Sequence, residues 1–179
     1  MTTGPSINHA NKLLTRISDA RQVIRIKHGV WVFPDVEPIL LPCILTAPFP
    51  AYISLQSALY YHGMISQIPN MIYAISLSRT STFHTAITDV SIHHVQPSFF
   101  FGYEKINNND LLKIATPEKT LIDIFYLSQT KTRLFATLPE VELPDHFNFA
   151  VADRMIEKIK SIRKKSLVMR LFADFIQKR

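Results

Sequence analysis

The sequence predicts an α+β fold: a partial winged-helix element (helix plus β-hairpin) over residues 1–35, then, over 36–179, a mixed sheet flanked by helices and ending in a helical C-terminus. Three observations carry this. Apolar residues recur at helical spacing near both ends of the chain. Short β-branched and aromatic runs alternate with turn residues through the middle. A Thr-Pro-Glu-Lys helix start at 116–119 directly follows one such run. With 179 residues and 47% apolar content, the chain is long enough to bury one sizeable core.

Residues 8–19 are expected to be helical, because Ala10, Leu13, Leu14 and Ile17 fall at i, i+3, i+4 and i+7 and form one stripe. Val23–Lys27 and Val30–Phe33 flank His28-Gly29 and read as a hairpin. Helix then basic hairpin is the second half of a winged helix, a recognition helix and its wing. A full winged helix has two earlier helices, and only seven residues precede this one, so the element is expected to be partial. Five prolines between 34 and 50 leave room for at most one kinked helix, since Pro lacks an N–H and clashes inside helices. Ser54 is expected to cap a helix from Leu55 to His62 that Gly63 ends.

Strands are expected at 71–78, 90–95, 98–104 and 111–115, with a turn at Asn107–Asp110. The strongest local signal is the next helix. Thr116 supplies the cap, Pro117 takes the first helical position where its missing N–H costs nothing, and Glu118 complements the positive helix end. Leu121, Ile122, Ile124 and Phe125 mark that helix as deeply buried to about Ser128. Residues 139–144 are expected to be extended, followed by helices near 149–161 and 162–178. Met155, Ile159, Ile162, Val168, Leu171, Phe172, Phe175 and Ile176 supply their inner faces.

Several function classes are disfavoured at once. Cys43 is the single cysteine, which rules out an intrachain disulfide and suits a reducing cytosol. No Gly-rich loop of the GxGxxG or GxxxxGK type is present to cradle a nucleotide. Residues 1–6 carry no signal-peptide pattern, and no apolar run approaches the roughly 20 residues of a membrane span, so a cytoplasmic protein with no membrane partner is expected.

Charge is unevenly spread. Residues 1–33 have net charge +4, residues 34–153 −5, and residues 154–179 +7. Basic surfaces attract polyanions because neutralised phosphates release counterions. On the first helix Asn11, Lys12, Thr15 and Arg16 lie largely off the apolar stripe, and on the hairpin Arg25, Lys27 and His28 are placed to grip a phosphate backbone. At the other end Arg154, Lys158, Arg163, Lys164, Lys165 and Arg170 form a basic patch suited to tRNA, DNA or an acidic protein surface. Either set also reads as an ordinary solvated face.

Enzymatic readings find less support. Glu118, Lys119 and Asp123 could bind a metal in a small nuclease, but no second acidic cluster accompanies them, and helix capping with an i,i+4 Lys119–Asp123 pair accounts for all three. Lys119 exposed on the surface is a further option. Adjacent His93 and His94 point to opposite faces of a strand, poor geometry for one metal. His62 at a helix end suits hydrogen bonding to the last carbonyls, and Ser57 lacks the Gly-x-Ser-x-Gly elbow of a nucleophile. No cofactor, metal or catalytic residue is expected.

Two segments resemble a known family. Ser54 to Ile65, with Ser57, Ala58, Leu59, His62 and Gly63, is similar to the S-x-x-S-A-L-x-x-H-G-x-I signature of AbiEi antitoxins. Ile114 to Asp123, with Thr116, Pro117, Glu118 and Lys119, resembles that family's I-A-T-P-E-K-A-L-x-D motif. Phe99 to Gly102 matches the aromatic-glycine strand before it, and Arg25 to Trp31 resembles the R-x-x-R-G-V-Y wing. The resemblance implies an antitoxin of a type IV toxin–antitoxin, phage-defence module, which counters a nucleotidyltransferase toxin without necessarily forming a stable complex. It also implies a transcriptional regulator that binds DNA at its own promoter. The competing expectations are a protein–protein interaction module with a reduced DNA-binding lobe, including a homo-oligomer, and a small metal-dependent nuclease.

Overall fold

A computed structural model describes residues 7–107, 109–128 and 140–178, the side chains of 7–9 and 11 excepted. The chain begins with helix α1 (Ile7–Asp19) and a separate two-stranded hairpin, β1 (Ile24–Lys27) and β2 (Val30–Val32). Arg21, in the left-handed region at φ +56°, closes α1 as Gln22 N–H donates to Ile17 O. Gly29, φ +73°, makes the hairpin turn. Half-buried Ala10, Leu14 and Ile17 share the predicted stripe of α1, but Leu13 is 49% exposed. The hairpin is held more firmly: Ile26 and Val32 are buried in the same apolar cluster as the main sheet.

A 3-10 turn (Pro38–Leu40) leads into the short helix α2 (Leu41–Thr46), the one helix the prolines allow. Next come β3 (Ala51–Ile53), α3 (Leu55–Tyr61), β4 (Ile72–Ser76), β5 (Ser81–His84) and β6 (Asp89–His94). A second 3-10 turn (Pro97–Phe99) precedes β7 (Tyr103–Lys105) and β8 (Lys113–Ala115). The chain then forms α4 (Pro117–Leu127), α5 (Phe149–Glu157) and α6 (Ile162–Gln177). The six main strands lie in the order β5-β6-β4-β3-β8-β7. β3–β8 and β4–β6 run parallel and the other neighbours antiparallel, so the fold is mixed α+β as the sequence predicts.

Helix α4 is the hub, and every one of its residues is buried. It packs against α3, α5 and α6, which accounts for its burial on every side. Its cap is the predicted one: Thr116 Oγ1 accepts from Lys119 N–H, and Pro117 stands at the first turn.

Four expectations need correction. The stretch 98–104 is not one strand: Pro97 starts a 3-10 turn, Gly102 takes φ +75°, and only Tyr103 onward pairs with β8. Ser54 precedes α3 but does not cap it with its side chain, because its hydroxyl is drawn to Asp123. Ile162 is 81% exposed and Ile176 40%, so neither belongs to an inner face. Strands β3 and β5 were not foreseen. Of the stretch expected to be extended, Pro139 lies outside the described residues and 140–144 carries no regular structure. Among the described residues no helix is long and apolar enough to cross a membrane.

Candidate functional site

The residues singled out at the N-terminus differ in their surroundings. On α1, Lys12, Thr15 and Arg16 are exposed; the Asn11 side chain lies outside the described set. On the hairpin, the Arg25 guanidinium stands 5.7 Å from the Trp31 ring centre and 2.9 Å from His28 Nδ1, which accepts. Arg25, His28 and Trp31 thus form one cluster. Lys27 does not join it. The strand pairing shifts register between Arg25 and Lys27, and such an irregularity re-aims the side chain beyond it. Lys27 Nζ donates to Leu45 O at 3.1 Å, near the end of α2, and stands 5.6 Å from the Phe83 ring. Its charge ties the hairpin to the core.

The residues that carry the family resemblance meet in the interior. Ser57 Oγ accepts from Tyr73 N–H at 2.9 Å, holding α3 to β4. His62 Nε2 bonds to Ala115 O at 2.7 Å, joining the end of α3 to β8; the expected bond to the helix's own last carbonyls is replaced by this longer-range one. Gly63, φ +67°, ends α3 as predicted, with Met64 N–H donating to Leu59 O. Glu118 Oε1 accepts from Asn148 N–H at 2.9 Å and so sets the start of α5.

At the centre Lys119 Nζ pairs with Asp123 Oδ1, and both side chains are fully buried. The option of an exposed Lys119 is therefore overturned: α4 is enclosed on all sides. Asp123 Oδ2 accepts from Ser54 Oγ at 2.8 Å and from Tyr52 OH at 3.2 Å, while Lys119 Nζ donates to Tyr52 OH at 3.0 Å. The ammonium also stands 3.8 Å from the Phe99 ring centre. Burial pushes the Lys119 pKa down and the Asp123 pKa up, each opposed by the partner's charge. Burial, reinforced by the Asp123 charge, pushes the Tyr52 hydroxyl well above its ordinary value. Leu55 follows Ser54 at φ +58°, a conformation costing a non-glycine residue about 1–2 kcal/mol. Its fully buried side chain offsets that strain and keeps the chain turned so that Ser54 faces Asp123.

This arrangement is an ion pair with its lone pairs and protons satisfied, walled by aromatic rings. Glu118 and Asp123 serve separate bonds and do not converge as a ligand pair. Neither the Asp123 nor the Lys119 side chain is exposed to solvent.

The C-terminal basic residues do not share one face. Arg163 and Arg170, two turns apart on α6, are exposed together, and Arg154 on α5 and Lys158 just past its end are exposed as well. Lys164 turns inward, its Nζ 4.0 Å from the Tyr126 ring centre, and Lys165 pairs with Glu157 Oε2 at 2.5 Å. Sequence reasoning missed Tyr52, Ser54 as a carboxylate partner, and Phe101, on which Lys158 Nζ rests at 4.6 Å. No spacing signal links them, since their partners are distant in the chain. Comparison with known proteins finds no family model that matches the chain and no significantly similar curated protein.

Proposed function

We propose that the chain is an antitoxin of the AbiEi type, a cytoplasmic binding protein that counters a nucleotidyltransferase toxin, represses its own promoter and catalyses nothing. The reading rests most on how the motif residues are arranged. Ser54 to Gly63 and Ile114 to Asp123 are bonded to each other through Ser54–Asp123 and His62–Ala115. Two motifs that form a single interlocked unit support the resemblance better than either match alone. Chemistry at Glu118 or Asp123 is disfavoured by their burial.

Helix α1 and the hairpin are the recognition helix and wing of a reduced winged helix. Lys12, Thr15 and Arg16 reach the groove, and Arg25 and His28 reach the backbone, leaving Lys27 as a strut. Gel shifts on the protein's own promoter at two ionic strengths test this. Duplex binding weakens with salt, log K falling by roughly 0.9 per phosphate contacted. Shifts unaffected by salt, or none, remove the operator role. Co-expression with a nucleotidyltransferase toxin encoded beside it tests the antitoxin role separately; the absence of such a gene, or growth arrest that the chain fails to relieve, rejects it.

One observation favours a second reading. Leu13 lies exposed within the apolar stripe of α1, so the helix offers a self-association surface. Light scattering of the chain against Leu13→Glu distinguishes an oligomer built on that stripe from a monomeric binder.

A further inference from the structure

We infer that the cleft between the α5–α6 junction, the Pro97–Phe99 turn and the end of α4 is a binding site for the phosphate group of a nucleotide. The cleft has a volume of about 440 Å³, within the range of small-ligand sites. Pro97, Phe99, Tyr126, Lys158, Lys160 and Ser161 are among its lining residues.

The charges around it are held but not neutralised. Lys158 and Lys164 rest on the rings of Phe101 and Tyr126, and Lys160 lies on the cleft wall. A cation over an aromatic face is fixed in place with its full charge available to an anion. Among the described residues no carboxylate pairs with Lys158, Lys160, Arg163 or Lys164, whereas Lys165 is paired with Glu157.

The start of α6 adds to this. Ser161 Oγ accepts from Lys164 N–H, and the first turn holds Arg163, Lys164 and Lys165 with no acidic residue. Cations at the positive end of a helix oppose its dipole. The arrangement is electrostatically adverse, and a compact multiply charged anion relieves both the lysine repulsion and the dipole conflict.

The aromatic floor sets the selectivity. Phe99 and Tyr126 are stacked on each other, with ring centres 3.9 Å apart. Their outer sides are taken by Lys119 Nζ and Lys164 Nζ. No ring face is left for a base, so recognition falls on phosphate and not on base identity. The source is either a free nucleotide or the terminal phosphate of a nucleic-acid strand. The inference deepens the nucleic-acid-binding reading above but does not depend on operator binding.

The test is titration of the full chain at low salt with pyrophosphate, ADP, UDP, and one single-stranded oligonucleotide with and without a 5′-phosphate. Pyrophosphate binds saturably, and ADP and UDP bind alike. Lys158→Gln combined with Lys164→Gln weakens binding at least tenfold. Exposed Lys160→Gln, which disturbs no packing, weakens it several-fold, and Arg79→Gln, remote from the cleft in sequence and exposed, leaves it unchanged. Preference for ADP assigns the free nucleotide, and preference for the phosphorylated oligonucleotide assigns the strand. Absence of saturable binding, strong base discrimination, or an equal loss with Arg79→Gln overturns the site. Gel shifts at the promoter respond to Lys12 and Arg16 instead, so either proposal fails without the other.

Discussion

Gly102 lies directly against the stem of Lys119: a methyl group added there would stand 3.0 Å from Lys119 Cγ and 3.1 Å from Cδ. The same glycine sits at φ +75°, and its carbonyl accepts from Thr116 N–H at 3.0 Å. Backbone shape, close approach and the α4 cap therefore coincide at one position, and the buried ion pair is positioned by all three.

Gly102→Ala is expected to destabilise the protein by about 2–4 kcal/mol, from left-handed strain and overpacking together. Gly29→Ala is the control, with a similar φ but nothing within 4 Å of the new methyl; it is expected to cost about 1 kcal/mol. Urea unfolding of the two variants checks the difference, and equal losses would show that the Lys119 contact yields freely.

Lys119→Met alone strands a buried carboxylate and is expected to cost about 3–5 kcal/mol. Adding Asp123→Asn removes the orphan charge and restores a substantial part of that loss, since an amide still accepts from Ser54. A double-mutant cycle by urea unfolding measures this. Additive losses would mean that the two groups do not act as a pair.

His93 is buried on the sheet beside Ser91 Oγ at 3.0 Å and Tyr73, and burial lowers its pKa from 6.5 to about 4. A histidine held neutral in the fold contributes stability that is complete above the unfolded value. That contribution is lost as pH falls from 6.5 toward 4 and amounts to about 3 kcal/mol. Wild type and His93→Gln are expected to converge in urea midpoint across that window. Parallel curves would place the acid sensitivity elsewhere.

Lys27→Ala is expected to cost about 1.5–3 kcal/mol, the worth of the charged bond to Leu45 O. Arg25→Ala is expected to weaken duplex binding more while changing stability little. The pairing of a gel shift with a melting curve separates the two, and a larger loss of binding with Lys27→Ala would return that lysine to the DNA-contacting group.

What the sequence made legible was local. The Thr116-Pro117 helix start, the Gly29 turn and the Gly63 stop are each specified by residues within one turn of the chain, and each stands where predicted. The buried network was not legible, because Ser54 looks like a cap until Asp123, 69 residues away, competes for its hydroxyl. Strand β3 is only three residues long between Pro50 and Ser54, too short to show a period, and β5 is a half-exposed edge strand. Periodicity found the stripe of α1 but could not say what covers it. The charge count located two basic ends, yet it could not show that Lys27 and Lys165 are already bonded within the protein.

The parallel join of β3 to β8, with Ile53 opposite Ile114, bears on how the chain acquires its shape. Contacts so remote in sequence form slowly, because a long loop must close before they repay its entropy. During synthesis the β3 edge therefore waits, unpaired, until β8 emerges to join it. Translation that stalls before residue 113 leaves a nascent chain with that strand edge open, a form exposed to aggregation and proteolysis.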